Sequence, residues 1–335
     1  MLPPFPSAIF SIVLRLACPV IVLLTMPDIK QNNRITLAGF LITFTGAILF
    51  STKAIIVKKA FNTIHTDALS LLTLRMIFSL PFYLVAAYLS SSKKDNTRMS
   101  VRQWQYVLVL GLLGYYLSSL FDFIGLQYIT AGLERLILFL YPTFAVLINV
   151  YFFKQKMSGP QKVALLLTYL GIAIAYYGEL SIDTSNPHFY LGSFLVFLCA
   201  VTYSIYIAGS GKIIPYVGST KFTAYAMLAA TTAIFIHFLI KGNIATLNLG
   251  ASLWYYGFAL AIVATVVPSF MLSNGLKRIG ASNVAIISAI GPVSTILQAH
   301  YFLGEKIFTE QIIGTLLVIA GVLLTAWKRS DVLGQ

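Results

Sequence analysis

The chain has 335 residues, 58% of them hydrophobic and only 10% charged, with a mean hydropathy of +0.85. That excludes a soluble globular domain, in which about a quarter of residues carry charge. The net charge of +13 does not indicate nucleic acid, because Lys and Arg gather in short stretches between apolar runs, the pattern that orients a multi-pass membrane protein.

Leu2 to Thr25 is apolar but interrupted by Pro3, Pro4, Pro6, Arg15 and Pro19, and lacks the basic start and small-residue cleavage site of a signal peptide. Met26 then opens a short polar lead-in. Residues 1–34 are expected to be an over-extended reading frame ahead of a true start at Met26, or a loosely attached peripheral helix; an extra integral span is the competing reading. From there ten apolar segments of about 20 residues follow, each long enough to cross about 30 Å of hydrocarbon as a helix. They run near 35–58, 67–89, 103–127, 131–153, 159–179, 189–211, 219–240, 250–276, 281–303 and 310–328. With Met26 inside, the cytoplasmic loops hold most of the Lys and Arg, among them Lys30, Arg34, Lys93, Lys94, Lys154, Lys156, Lys277, Arg278 and Lys328, against Lys58, Lys59, Lys241 and Lys306 outside. Both termini are therefore expected in the cytoplasm, with the 329–335 tail there too.

The stretch Gly125 to Lys156 occurs twice. Moved 150 positions without a gap it pairs Gly125 with Gly275, Ile129 with Ile279, Pro142 with Pro292 and Lys156 with Lys306; 14 of the 53 positions from Gly125 to Tyr177 are identical. Segments 1 and 6 correspond at a spacing of 153, which pairs Gly39 with Gly192, Phe44 with Phe197 and Ser51 with Ser204. The repeated unit is therefore five helices, 35–180 and again 189–328. An odd number of crossings sets the two copies upside down relative to each other. The exchanged charges fit: Gln127 and Tyr128 become Lys277 and Arg278, while KQKMSGPQK at 154–162 becomes GEKIFTEQI at 304–312.

The GLQYITAG and GLKRIGAS turns, the mid-helix Pro142 and Pro292, and the FLGEK ending at Phe302 to Lys306, in register across five plus five helices, resemble the drug/metabolite transporter superfamily, EamA branch. The resemblance covers about Ile35 to Trp327. It implies an all-α, ten-helix secondary transporter of two inverted repeats, with a central cavity between the halves, helices 5 and 10 at the periphery, and export of amino acids or other small metabolites. Gln155 departs from the Glu that this ending often carries, as at Glu305; the departure concerns the local helix cap.

Charges inside a bilayer are costly unless paired or hydrated, so ionisable residues there are functional candidates. Five stand out, all in the outer half of the first copy: Lys53, Arg75, Asp122, Glu134 and Arg135. A fixed ion pair locking helices is the structural reading for Arg75 and Asp122. The functional reading has Lys53 and Glu134 facing a cavity, with Glu134 the coupling or ammonium-binding group and Lys53 its partner or a carboxylate contact. Glu134, Leu138, Tyr141, Ala145 and Asn149 share one helix face, and the matching face reads Val284, Ser288, Gly291, Thr295 and Ala299, with Gln298 alongside. Arg135, about 100° away, reads as an interfacial anchor. Tyr203 and Tyr206, with Tyr115 and Tyr116, fit either substrate stacking or aromatic packing. His237 and His300 read as interfacial.

The two cysteines, Cys18 and Cys199, sit in apolar runs and support neither a disulfide framework nor a metal site. GSGK at Gly209 to Lys212 lacks the spacing of a phosphate-binding loop, and no catalytic signature is present, so neither a cofactor nor an enzymatic role is expected. The expected partners are a small-molecule metabolite and the lipid bilayer of the plasma membrane; Gly171 and Ala175 could pack a neighbouring helix or a second copy as a homodimer. The alternatives are a carrier of sugar phosphates, nucleotide sugars or drugs, and a membrane protein that transports nothing.

Overall fold

A computed structural model of the chain describes residues 36–332, apart from 65, 93–97, 142, 145, 146, 148–158, 183–186 and 249. The stretch before Thr36 and the expected features at Pro142, Asn149, Lys154 and Lys156 lie outside the described residues. Among those described, all regular structure is helical. We label the helices α1 (Leu37–Ile64), α2 (Ala68–Ser91), α3 (Val101–Gly125), α4 (Ala131–Leu138), α5 (Gly159–Ile182), α6 (Phe189–Val217), α7 (Ser219–Lys241), α8 (Ala251–Gly280), α9 (281–303) and α10 (Thr309–Val332). Six of them, α1, α2, α3, α6, α7 and α8, are long and apolar enough to cross a membrane. The apolar parts of α5 and α10 are shorter, Lys162–Gly178 and Thr309–Leu324. A helix is what such sequences must form in hydrocarbon, where every backbone amide needs a partner within its own segment.

Polar residues set the ends. Asp67 caps α2 by accepting from the Ser70 amide at 2.8 Å, Ser100 and Gln103 form a reciprocal capping box at the start of α3, and Thr130 accepts from the Leu133 amide to start α4. Gly280, at φ +77° and ψ +165°, takes a positive-φ conformation open to glycine that separates α8 from α9, and Gly304, at φ +72° and ψ +18°, closes α9 as a left-handed cap. Two helices run farther than the sequence pattern suggests: α1 continues through Lys58 and Lys59 to Ile64, and α6 through Lys212 to Val217. Lysine is a good helix former whose apolar stem lies along the bilayer while its ammonium reaches out, so a cation does not end a span.

Contacts between the first half (α1–α5) and the second (α6–α10) come in matched pairs. α1 packs on α8 and α9, while α6 packs on α3 and α4; α2 lies against α7, and α5 against α10. The match holds at single residues. A Cβ on Gly39 would strike Ile279 and touch Arg278, and one on Gly192 would strike Tyr128 and press on Ile129; Gly125 is held against Val196, and Gly275 against Thr43. At the α5–α10 crossing, a Cβ on Gly171 would lie 2.6 Å from the Gly314 carbonyl oxygen, and one on Gly321 would lie 2.7 Å from that of Ala164. Small residues let these backbones approach, the usual basis of helix association where the surrounding lipid is as apolar as the side chains.

Both α3 and α8 contain a π-helical turn, at Leu112–Leu117 and Ile262–Val266. Each widens its helix locally, and the two face one interior cavity. Such turns recur at functional sites.

Candidate functional site

The five intramembrane charges converge. Lys53 on α1 places its Nζ 2.7 Å from Oδ2 of Asp122 on α3 and 3.9 Å from Oε1 of Glu134 on α4. All three side chains are buried, Asp122 and Glu134 with no exposure at all. Apart from that ammonium, neither carboxylate has a hydrogen-bond donor among the described residues. One cation thus serves two carboxylates in a region of low dielectric, where removing it would leave both uncompensated.

Arg75 does not pair with Asp122. Its Nη2 donates to Oγ of Ser119 at 2.9 Å, its guanidinium lies 5.0 Å from the Phe123 ring centroid, and its Nε has no partner. Arg135, which helix phase had placed at the membrane interface, is 6% exposed and packed inside. Its guanidinium lies against Gly291 of α9, where a Cβ would come within 2.4 Å of Nη2, and 5.7 Å from the Phe50 ring centroid; its Nε is unpartnered too. Every residue of α4 from Ala131 to Leu138 is buried, because α1, α6 and α9 surround this helix, so no face of it is left for the interface.

Beside these charges is a cavity of about 30 Å³, lined among others by Lys53, Arg75, Tyr115, Cys199, Tyr203 and Thr265. Residues of both halves contribute to it. Tyr115 and Tyr203 line it, and two more tyrosines pack behind them: Tyr203 stacks on Phe50 at 6.2 Å and on Tyr206 at 5.7 Å, Tyr141 meets Tyr203 edge-on at 5.4 Å, and the hydroxyls of Tyr115 and Tyr206 are 2.8 Å apart. Gly114 makes this arrangement possible, since a Cβ there would sit 2.2 Å from Cγ of Tyr206. Tyr116 instead turns outward to His237, 3.1 Å away.

The structure therefore brings Lys53, Arg75, Asp122, Glu134, Tyr141, Tyr203 and Tyr206 into one cluster. It does not bring in Ser288, Thr295 or Gln298: none lines the cavity, Gln298 donates to Ser294 within its own helix at 2.8 Å, and the Thr295 hydroxyl is buried without a partner. Pro292 is buried next to Gly291, whose carbonyl accepts from Ser51 at 3.3 Å. Sequence reasoning passes over Thr265, Ser118 and Ser119, which the π-turns carry to the cavity, and over Cys199. The available signal was the pair of small-residue segments around Gly114 and Ala264, at the same place in each copy. A larger cleft, about 730 Å³, opens elsewhere between α2, α7 and α8, but no charged residue lines it. Of these two cavities, only the smaller offers ionic recognition.

A multi-pass membrane protein with a buried ionic cluster in its first half, beside a cavity lined by both halves, is the class defined so far. The chain matches the EamA-like transporter family twice, over residues 37–177 and over 190–327, and belongs to that family. It is 29% identical over 295 residues to the uncharacterized transporter YcbK of Bacillus subtilis (strain 168), covering 85% of this chain and 91% of that protein. An uncharacterized transporter of Archaeoglobus fulgidus is likewise 29% identical over 265 residues, covering 75% of this chain and 88% of its own length. A protein crystal structure superposes with a TM-score of 0.63 over 85% of this chain and 94% of its own, at 18% identity, which bears on the fold alone.

Proposed function

We propose that this membrane transporter is a secondary carrier of the plasma membrane that moves a small organic metabolite outward by alternating access. In this reading ten helices cross the membrane as two inverted five-helix repeats, 35–180 and 189–328, with both termini cytoplasmic when the chain starts near Met26. The observation that carries it is the exchange of contacts under the duplication: Gly39 on Arg278 and Ile279, and Gly192 on Tyr128 and Ile129, are one contact made twice. A two-fold relation of this kind supports two halves that rock about a shared midline. The cluster of buried charge found among the described residues, on α1–α4, borders a cavity to which both halves contribute. No phosphate-binding loop is recognisable in the sequence, which favours gradient-driven movement over ATP drive.

Glu134 is the proposed coupling group, because its carboxylate is buried and shares its cation with Asp122. An amino acid is one candidate substrate; sugar phosphates and nucleotide sugars fit less well, since they call for several free cavity cations. A homodimer through Gly171 and Ala175 is disfavoured, because α10 of the same chain covers that face. The test compares metabolites inside and outside cells expressing the chain from Met26, cells expressing Glu134→Gln at matched membrane abundance, and cells with neither. The reading expects one or a few compounds to be redistributed by the unmodified chain alone. Unchanged metabolites on both sides, with the protein present in the membrane, would refute it.

A further inference from the structure

Counting the buried charges narrows the substrate. Lys53, Arg75 and Arg135 face only Asp122 and Glu134, three cations against two carboxylates, all at most 6% exposed. At least one positive charge is left over in a place where an unpaired charge is expensive. Both carboxylates lie on Lys53, so an ammonium group entering the cluster would have to displace that lysine. The arginines have no such claim on them: among the described residues no carboxylate lies within ion-pair distance of either.

The cavity beside Arg75 has the donors that an anion needs. Arg75 lines it with Nε unpartnered, and the Thr265 hydroxyl, 5% exposed, lines it from α8 and is unpartnered as well. Most of its other hydroxyls are engaged: Tyr115 with Tyr206, Ser118 with the Gly114 carbonyl, Ser119 with Arg75, and Ser269 with Tyr83 at 2.9 Å. A volume of about 30 Å³ admits a water or a carboxylate-sized head group but no larger body, since a single water needs roughly 10–15 Å³. The rest of a substrate would therefore occupy the tyrosine wall when the halves part.

Resting on the transport reading above, we infer that the substrate is an organic anion whose carboxylate binds between Arg75 of the first half and Thr265 of the second. A guanidinium fork and a hydroxyl together match a carboxylate, and the anion neutralises the surplus charge. It also ties the two halves together across the cavity. A zwitterion would leave the surplus in place, and a cation would add to it.

The test sorts by net charge at pH 7 every compound that full-chain expression redistributes across the membrane, and repeats the sorting with Arg75→Gln, Arg75→Lys and Thr265→Ala, each checked for membrane abundance. The inference expects the redistributed compounds to be net anions, their flux to fall at least about tenfold in Arg75→Gln and to survive in part in Arg75→Lys, which keeps the charge but loses the fork. If Arg75→Gln does not reach the membrane, Thr265→Ala carries the same expectation of reduced anion flux. Redistribution of zwitterions or cations, or of anions equally well by the variants, overturns the inference and leaves the transporter reading standing. No redistribution of any compound overturns both.

Discussion

Lys53 is the residue on which the buried ionic cluster depends. Replacing it with Met leaves two carboxylates without a cation, a defect that costs about 3–5 kcal/mol in buried pairs. Lys53→Met should therefore lose most of its membrane-embedded, monodisperse protein, and Lys53→Met combined with Asp122→Asn and Glu134→Gln should recover the yield without recovering transport. A single variant as abundant as the unmodified chain would show that the ammonium is not what stabilises the carboxylates. Gly114 gives a second check. In Gly114→Val the new side chain occupies the place of the Tyr206 ring, and overpacking of this kind costs about 1–3 kcal/mol; transport should fall sharply while some folded protein remains. The five charges were legible in the sequence because ionic residues stand out in apolar runs. Their pairing was legible only in part: Lys53 does reach Glu134, but its shorter contact is to Asp122. Which carboxylate Lys53 reaches depends on helix rotation and interaxial distance, and Arg135 was placed at the interface because phase was measured from Glu134 alone, although α4 is enclosed on every side.

At the scale of the helix, the informative contact is between the end of α9 and the start of α4. Glu305 accepts from the amides of Ala131 at 3.0 Å and Gly132 at 3.3 Å, so a carboxylate of the second half caps a helix of the first. The sequence suggested a local cap at this position; the contact instead holds the two halves together at one face of the protein. A carboxylate on a helix N-terminus contributes typically about 1 kcal/mol, so Glu305→Gln should melt a few degrees lower and open that face more readily. Calorimetry of the purified protein checks the first expectation, and an unchanged midpoint would reduce the contact to an incidental one. At the other end of the architecture, Gly171→Leu or Gly321→Leu should separate α5 from α10 and lower membrane abundance, as read by fluorescence-detected size exclusion. Helix order was legible because the duplicated glycines and prolines fix it. The π-turns of α3 and α8 were not, because one extra residue in a turn leaves no mark on an all-apolar periodicity.

For the whole molecule, the proposed transport requires the ionic cavity to communicate alternately with the two sides of the membrane. Cys199 lines that cavity, is 3% exposed, and is the one cysteine left when the chain starts at Met26, since Cys18 is the other. It therefore reports on access without any engineered change at the site. The most direct measurement adds a membrane-impermeant anionic thiol reagent, methanethiosulfonate ethylsulfonate, to sealed vesicles of each orientation containing the transporting protein, and follows modification of Cys199 by mass. The account predicts modification from both sides, slowed in Arg75→Gln because the reagent's sulfonate must approach the same guanidinium. Modification from neither side, in vesicles that still move metabolites, would mean that the substrate takes another path and would contradict the account.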